Sequence, residues 1–497
     1  MPHVYKVLGC PGAGKTTYLL NRVQDELASG VPPEKIGYFS FTRKAADEAR
    51  DRALLKFPHL NAKSDFPWFR TLHSLAFKVL GARKGDVMQP EHYLEFSKLT
   101  GIEIGSVVDD YGTVKTDNPI VNAINMARLA GEDLRVHYNK SDLEIEWHHF
   151  EYVDRALRHF KVSHNLIDFT DMLNDACDRP ELMPELDVVI VDEAQDLSRM
   201  QWKLVHLLLS KCQRGYVASD ADQALYLWAG ADIDSLFSLE GETVVLEQSW
   251  RVPAAIHRLA DSVVRRIRHR FEKKWLPRDY EGEVHTYASY EHVPVHEGEW
   301  LILASSNYLL GPIADNLRSR GLLYQKNNYS SIPETVLNAV YGWERLRAGK
   351  GVSADQVAAV YRHLPTTALK TGHKTFKGDP ESLFKMEDLK AHFGLLAEPA
   401  PWFEALTKIG DDRVQYIRAM IRRGTKFSRK PQITLSTIHG AKGGEADNVM
   451  LLLDLTPKFM NDREPDDILR MLYVALTRSK KTLHLVLPKD QNKAFLI

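Results

Sequence analysis

The chain has 497 residues, 44% apolar and 26% charged, with a formal net charge of −1. That length exceeds one ordinary core and predicts several domains of a globular protein. The balanced charge excludes a global basic footprint, so a nucleic-acid site has to be local. The three cysteines, Cys10, Cys177 and Cys212, have no metal-ligand spacing. They argue against a disulfide framework or zinc site and for a reducing, cytoplasmic compartment. The opening residues lack a basic-then-apolar leader pattern. No run approaches ~18 uninterrupted apolar residues, so no membrane span is expected.

In chain order, Val4–Leu8 reads as a buried strand and Thr17–Leu27 as a helix. Between them Gly9–Thr16, G-C-P-G-A-G-K-T, fits G-x-x-x-x-G-K-[ST]. Strand, loop and helix in that order mark a phosphate-binding loop. Successive backbone N–H groups through Gly12, Ala13, Gly14 and on to Thr17 face phosphates at a helix start. Lys15 reaches the outer phosphates, and Thr16 can ligate Mg²⁺. A nucleoside triphosphate is therefore the expected ligand. Ile36–Phe41 is a second strand, followed by a helix over Thr42–Leu55 with Thr42 as N-cap. Residues 85–160 are helix-rich, with no strong strand signal.

Leu186–Val191 is a continuous apolar strand ending on Asp192-Glu193. Asp192 there can hold Mg²⁺, and Glu193 can polarise the attacking water. Gly215–Ser219 and Thr243–Leu246 add short strands. After the first of these, Gln223 is placed to sense the terminal phosphate. Tyr226 and Trp228 follow, either as stacking platforms for bases or as core. Strands alternating with helices predict a parallel sheet. Arg251 and Arg478 read as arginine fingers, both expected in a second α/β unit facing the first. The strands of that unit are Trp300–Ala304, Gln432–Ser436, Val449–Leu453 and Thr482–Leu487. A polar, helical stretch between about 330 and 430 reads as an insertion, since it interrupts this alternation. Lys426 to Lys430 reads as an exposed linker. Basic runs at Arg265–Arg270, Arg418–Lys430 and Arg478–Lys481 are either local nucleic-acid contacts or solvated faces.

In this order the segments resemble the motifs of the UvrD/Rep/PcrA family, the superfamily 1A DNA helicases. Gly9–Thr16 is similar to motif I, Phe41–Arg50 to motif Ia and Thr71–Ala76 to motif Ib. Asp192–Asp196 is similar to motif II, Asp222–Tyr226 to motif III and Leu246–Arg251 to motif IV. Ser436–Glu445 is similar to motif V, and Tyr473–Arg478 to motif VI. The resemblance implies an α/β fold of two RecA-like parallel-sheet domains, each with a helical insertion. The first domain would be 1–80 with 160–246, interrupted by 81–159. The second would be 247–332 with 426–497, interrupted by 333–425. It implies ATP and Mg²⁺ between the two domains, with Lys15, Thr16, Asp192, Glu193, Gln223, Arg251 and Arg478 acting on phosphate, metal and water. Trp250 would stack on adenine. Arg50 and Glu445 would lie at the base or sugar, and Gly443 would belong to the nucleotide-binding set. Phe41, Thr42, His73, Tyr226, Trp228, Asn307, Thr437 and His439 would contact DNA. The implied activity is 3′–5′ translocation on single-stranded DNA with duplex unwinding. The implied partners are single-stranded DNA and its junctions with duplex, alongside replication or repair proteins. Ser249 and Ser305 depart from the family, which carries Asn and Arg there. A fused nuclease is not expected.

Overall fold

The structure is a computed structural model that describes all residues except 1, 42, 63, 109–113, 142, 297, 327–328, 426–429, 462 and 496. Thr42 and most of the Lys426–Lys430 linker thus lie outside the described residues. By compactness the chain forms two units. One comprises residues up to 281 together with Arg463–Thr477, and the other comprises the rest.

The first unit is built on strands β1 (His3–Gly9), β2 (Ile36–Ser40), β3 (Phe69–Arg70), β6 (Val188–Asp192), β7 (Arg214–Ser219) and β8 (Glu242–Leu246), with β4 (Ser106–Val108) and β5 (Val114–Thr116) apart from them. The six sheet strands lie in the order β3-β2-β6-β7-β1-β8, every pairing parallel. β2 and β6 are buried along their whole length, which is why they read as unbroken apolar runs rather than alternating ones. The helix Lys15–Ala28 buries Leu19, Leu20 and Val23 on one face, the spacing of an amphipathic helix. Residues 85–160 hold the expected helices around Phe96, Ile124, Phe150, Val153 and Leu157. They also hold the antiparallel ribbon β4–β5, which the sequence reading does not anticipate.

The second unit has β9 (Glu283–Tyr287), β10 (Trp300–Ala304), β11 (Tyr324–Lys326), β12 (Tyr329–Ser330), β15 (Ile433–Thr437), β16 (Ala446–Leu452) and β17 (Ser479–Val486) in one sheet. Their order is β12-β11-β15-β10-β16-β17-β9, parallel except for β11–β12. The stretch 333–425 is helical, with one small ribbon of β13 (Val352–Ser353) and β14 (Leu383–Phe384). Trp343, Val357, Val360, Leu389 and Ile417 are buried there, in one cluster with the strand core.

The compact units divide differently from the expected domains. Residues 247–281 and the helix Pro465–Leu476 go with the first unit. The reason lies in a few buried hydrogen bonds. The fully buried Arg470 donates from Nε to the Ala221 carbonyl at 3.3 Å and from Nη2 to the His269 carbonyl at 2.7 Å. Asp466 accepts from the backbone N–H of Arg268 and His269. Long-range contacts of this kind leave no periodic trace in the sequence.

Candidate active site

The chemistry of the first unit gathers at the carboxyl ends of its strands, where open parallel sheets bind ligands. Gly9 ends β1, Asp192 ends β6, and the turn after β7 carries Asp220–Gln223. Gly12 and Gly14 have φ of 72° and 78°, a region costly for other residues. Gly12 is also hemmed in, since a Cβ there would lie 2.4 Å from the Cβ of Arg251. Ala13 closes the loop with its N–H on the Cys10 carbonyl at 3.1 Å. Lys15 is buried, and its Nζ donates to the Gly9 carbonyl at 3.3 Å. Thr17 is exposed on the first turn of the helix. Burial pushes the Cys10 thiol up to about 12, with Asp220 adding to the effect. The thiol therefore stays protonated and unreactive.

Thr16 Oγ1 donates to Asp192 Oδ2 at 2.8 Å, joining groups 176 positions apart. Tyr38, from β2, donates to the same oxygen at 2.9 Å. Burial, then the neighbouring Glu193, raises Asp192 above the usual carboxylate range against the pull of Thr16, Lys15 and Tyr38. Two oxygens on adjoining elements suit a hard cation that keeps most of its shell as water and phosphate. No group of three or more His, Cys, Asp or Glu side chains arranged to hold a metal exists among the described residues. Glu193 is one of two described non-glycine residues with positive φ, at 56°. Such a conformation is costly and clusters at functional sites. Gln195 donates to Glu193 Oε2 through Nε2 and accepts the Asp220 N–H at 3.0 Å through Oε1. It thereby links the two acidic turns.

Gln223 is buried, and its Nε2 donates to Asp220 Oδ2 at 2.6 Å. Behind it lies a set of buried ions that the sequence reading missed. Lys273 Nζ lies 2.6 Å from Asp220 Oδ1 and 2.7 Å from Asp222 Oδ2, and Arg270 Nη2 lies 3.1 Å from Asp222 Oδ2. Burial opposes charge on Lys273, but the two aspartates outweigh it and hold its pKa above the ordinary lysine value. Burial likewise works to raise Asp220, and Lys273 and Lys15 outweigh it, leaving the carboxyl below its ordinary value.

Ser249, the departure in motif IV, is a brace for the phosphate loop. Its hydroxyl donates to the Pro11 carbonyl at 2.7 Å and accepts the Val252 N–H at 3.0 Å. Trp250 donates its backbone N–H to the Gly12 carbonyl at 2.9 Å, with its ring 73% exposed. Arg251 accordingly sits in the first unit against Gly12, not in the second unit as expected. Arg50 pairs with Asp47 at 2.8 Å on its own helix.

Of the residues assigned to DNA, Phe41 and Tyr226 stack with ring centroids 5.2 Å apart. Trp228 is 47% exposed under the Arg463 guanidinium, 4.5 Å from its ring. His73 meets Phe169 edge to face at 5.7 Å. In the second unit, Thr437 ends β15 in register with Ala304 at the end of β10, and the exposed Asn307 follows it. His439 packs against Phe459 at 6.4 Å. Gly443 has φ of 80°, and Glu445 is exposed. Arg478 is buried beside them, donating from Nη1 to the Gly444 carbonyl at 3.4 Å.

Comparison with known proteins gives the family. Residues 2–243 match the UvrD/REP helicase N-terminal domain, and residues 415–490 match the UvrD-like helicase C-terminal domain. The putative ATP-dependent DNA helicase YjcD of Bacillus subtilis is 23% identical over 98% of this chain and 77% of its own length. The ATP-dependent DNA helicase PcrA of the same organism is 27% identical over 66% of this chain, and Rep of Buchnera aphidicola 25% over 54%. The matches span 46% and 42% of those two proteins. The chain belongs to the UvrD-like helicases of superfamily 1A.

Proposed function

We propose that this protein is an ATP-dependent DNA helicase that moves 3′–5′ along single-stranded DNA and opens duplex ahead of it. The observation that carries the ATPase half is the Thr16–Asp192 hydrogen bond, which brings the phosphate loop to the acidic strand end. The exposed Trp228 and the stacked Phe41–Tyr226 pair support the DNA half, since bases stack on aromatic faces whatever their identity.

In this reading Lys15 and the loop N–H groups hold the β- and γ-phosphates, and Trp250 offers its open face to the base. Thr16 and Asp192 would hold Mg²⁺, which neutralises charge on the phosphates. Glu193, fixed by Gln195, takes the proton of the attacking water. Gln223 reads the γ-phosphate, and Arg251 and Arg478 stabilise the charge spread over the transferred group. The parts given to Arg478, Gly443, Glu445 and Arg50 rest on the family resemblance. His73, Asn307, Thr437 and His439 are assigned to the DNA track on the same ground. Replication or repair proteins are the proposed partners.

The test is strand separation on short duplexes with a single-stranded tail at either the 3′ or the 5′ end. ATP-driven opening of the 3′-tailed substrate alone is expected. Opening of only the 5′-tailed substrate overturns the polarity. If neither opens while ATP drives streptavidin off a biotinylated strand, the protein is a motor that strips bound proteins rather than a helicase.

A further inference from the structure

We infer that Lys273 is a positioning residue for ATP hydrolysis, acting through Asp220 to set the side chain of Gln223. The inference rests on the reading of Gln223 as the γ-phosphate sensor.

The geometry is a chain of short contacts. Gln223 Nε2 donates to Asp220 Oδ2 at 2.6 Å, and the other oxygen of that carboxylate, Oδ1, lies 2.6 Å from Lys273 Nζ. An amide nitrogen carries two hydrogens. With one on Asp220 the rotamer is set, and the direction of the second is set with it. Asp220 is itself held from a third side, by its own N–H on Gln195 Oε1 at 3.0 Å. Gln195 also contacts Glu193. The orientations of the sensor and of the proton acceptor therefore meet at one buried residue, Asp220, the first at its carboxylate and the second at its backbone N–H.

Lys273 is what makes that carboxylate usable. Asp220 and Asp222 are both buried, two residues apart; Lys273 and Arg270 pair with them directly, and Lys15 adds its charge from the phosphate loop. Buried like charges side by side do not both stay ionised without a cation. If Lys273 is lost, Asp220 Oδ1 loses its 2.6 Å partner, the carboxylate is free to turn, and Gln223 loses its fixed acceptor. An elongated cation from 50 and more positions downstream is thus tied to the turn that reads the nucleotide.

The test compares Mg²⁺-dependent affinities for ATPγS and ADP in the full chain, with folding of each variant followed by thermal melting. Gln223→Ala should lower the preference for the triphosphate by roughly tenfold or more, the size of one hydrogen bond to a charged group. Lys273→Met should lower it as far, and the double variant Lys273→Met/Gln223→Ala no further. Lys273→Arg, which can still bridge two carboxylates, should restore most of it. If Lys273→Met does not fold, Asp220→Asn takes its place with the same expected loss. An unchanged preference in a folded Lys273→Met or Asp220→Asn chain, or a double variant that falls by the product of the two single effects, overturns the inference. If Gln223→Ala leaves the preference unchanged while Lys15→Ala abolishes binding, it is the sensor reading itself that fails.

Discussion

At the scale of single residues, two side chains carry distinct burdens. Glu193 holds a left-handed backbone and is steadied by Gln195, so its carboxylate is aimed before substrate arrives. Glu193→Gln keeps the shape and removes the proton acceptor. ATP binding should persist, while turnover should fall by ~10²–10⁴, the usual share of a general base. Single-turnover hydrolysis beside a nucleotide titration checks this. Ser249 has the opposite profile, since its hydroxyl is taken up by Pro11 and Val252. Ser249→Ala strands the buried Val252 N–H, a cost of about 1–3 kcal/mol. It should lower both the denaturation midpoint and nucleotide affinity. An unchanged midpoint would show that the brace is dispensable.

At the scale of elements, the strands that end on chemistry were legible and the contacts that hold them were not. β2 and β6 are buried along their whole length and β1 over its last three residues, so they read as apolar runs closed by Ser40, Asp192 and Gly9. β9 lies at a sheet edge and is mostly exposed, and β3 is two residues long. Neither has the pattern that marks a buried strand. Tyr38 on Asp192 and Lys273 on Asp220 were missed because side-chain pairing across the fold has no local spacing. Thr16 and Asp192 were found because a known motif fixes each of them.

The second sheet also carries a pH dependence of its own. His484 on β17 is buried against Trp300, with Tyr287, His285 and Glu283 around it, and its Nδ1 lies 3.2 Å from the Tyr287 hydroxyl. Burial, aided by His285 and opposed by Glu283, takes its pKa from 6.5 down to about 4. The unfolded chain binds the proton first, so this site's contribution is intact above pH 6.5 and is lost as pH falls from 6.5 towards 4. The loss should reach up to about 3 kcal/mol. Urea unfolding at pH 7 and pH 4 should show a smaller acid penalty for His484→Gln than for the parent chain. An equal penalty would place the acid sensitivity elsewhere.

At the scale of the whole molecule, a DNA motor has to couple DNA to ATP. Trp228 is the residue to separate them, because it is exposed, aromatic and outside the phosphate loop. Trp228→Ala removes about 1–3 kcal/mol of base stacking. DNA should then stimulate turnover less, with the DNA-independent rate unchanged. Equal stimulation would make Trp228 a packing residue for Arg463. The measurement that bears most directly on the account is steady-state ATP hydrolysis with and without single-stranded DNA, for the parent chain and for Lys15→Ala. A DNA-stimulated rate that vanishes in Lys15→Ala is the predicted result. Turnover that ignores DNA, or that survives the loss of Lys15, would contradict it.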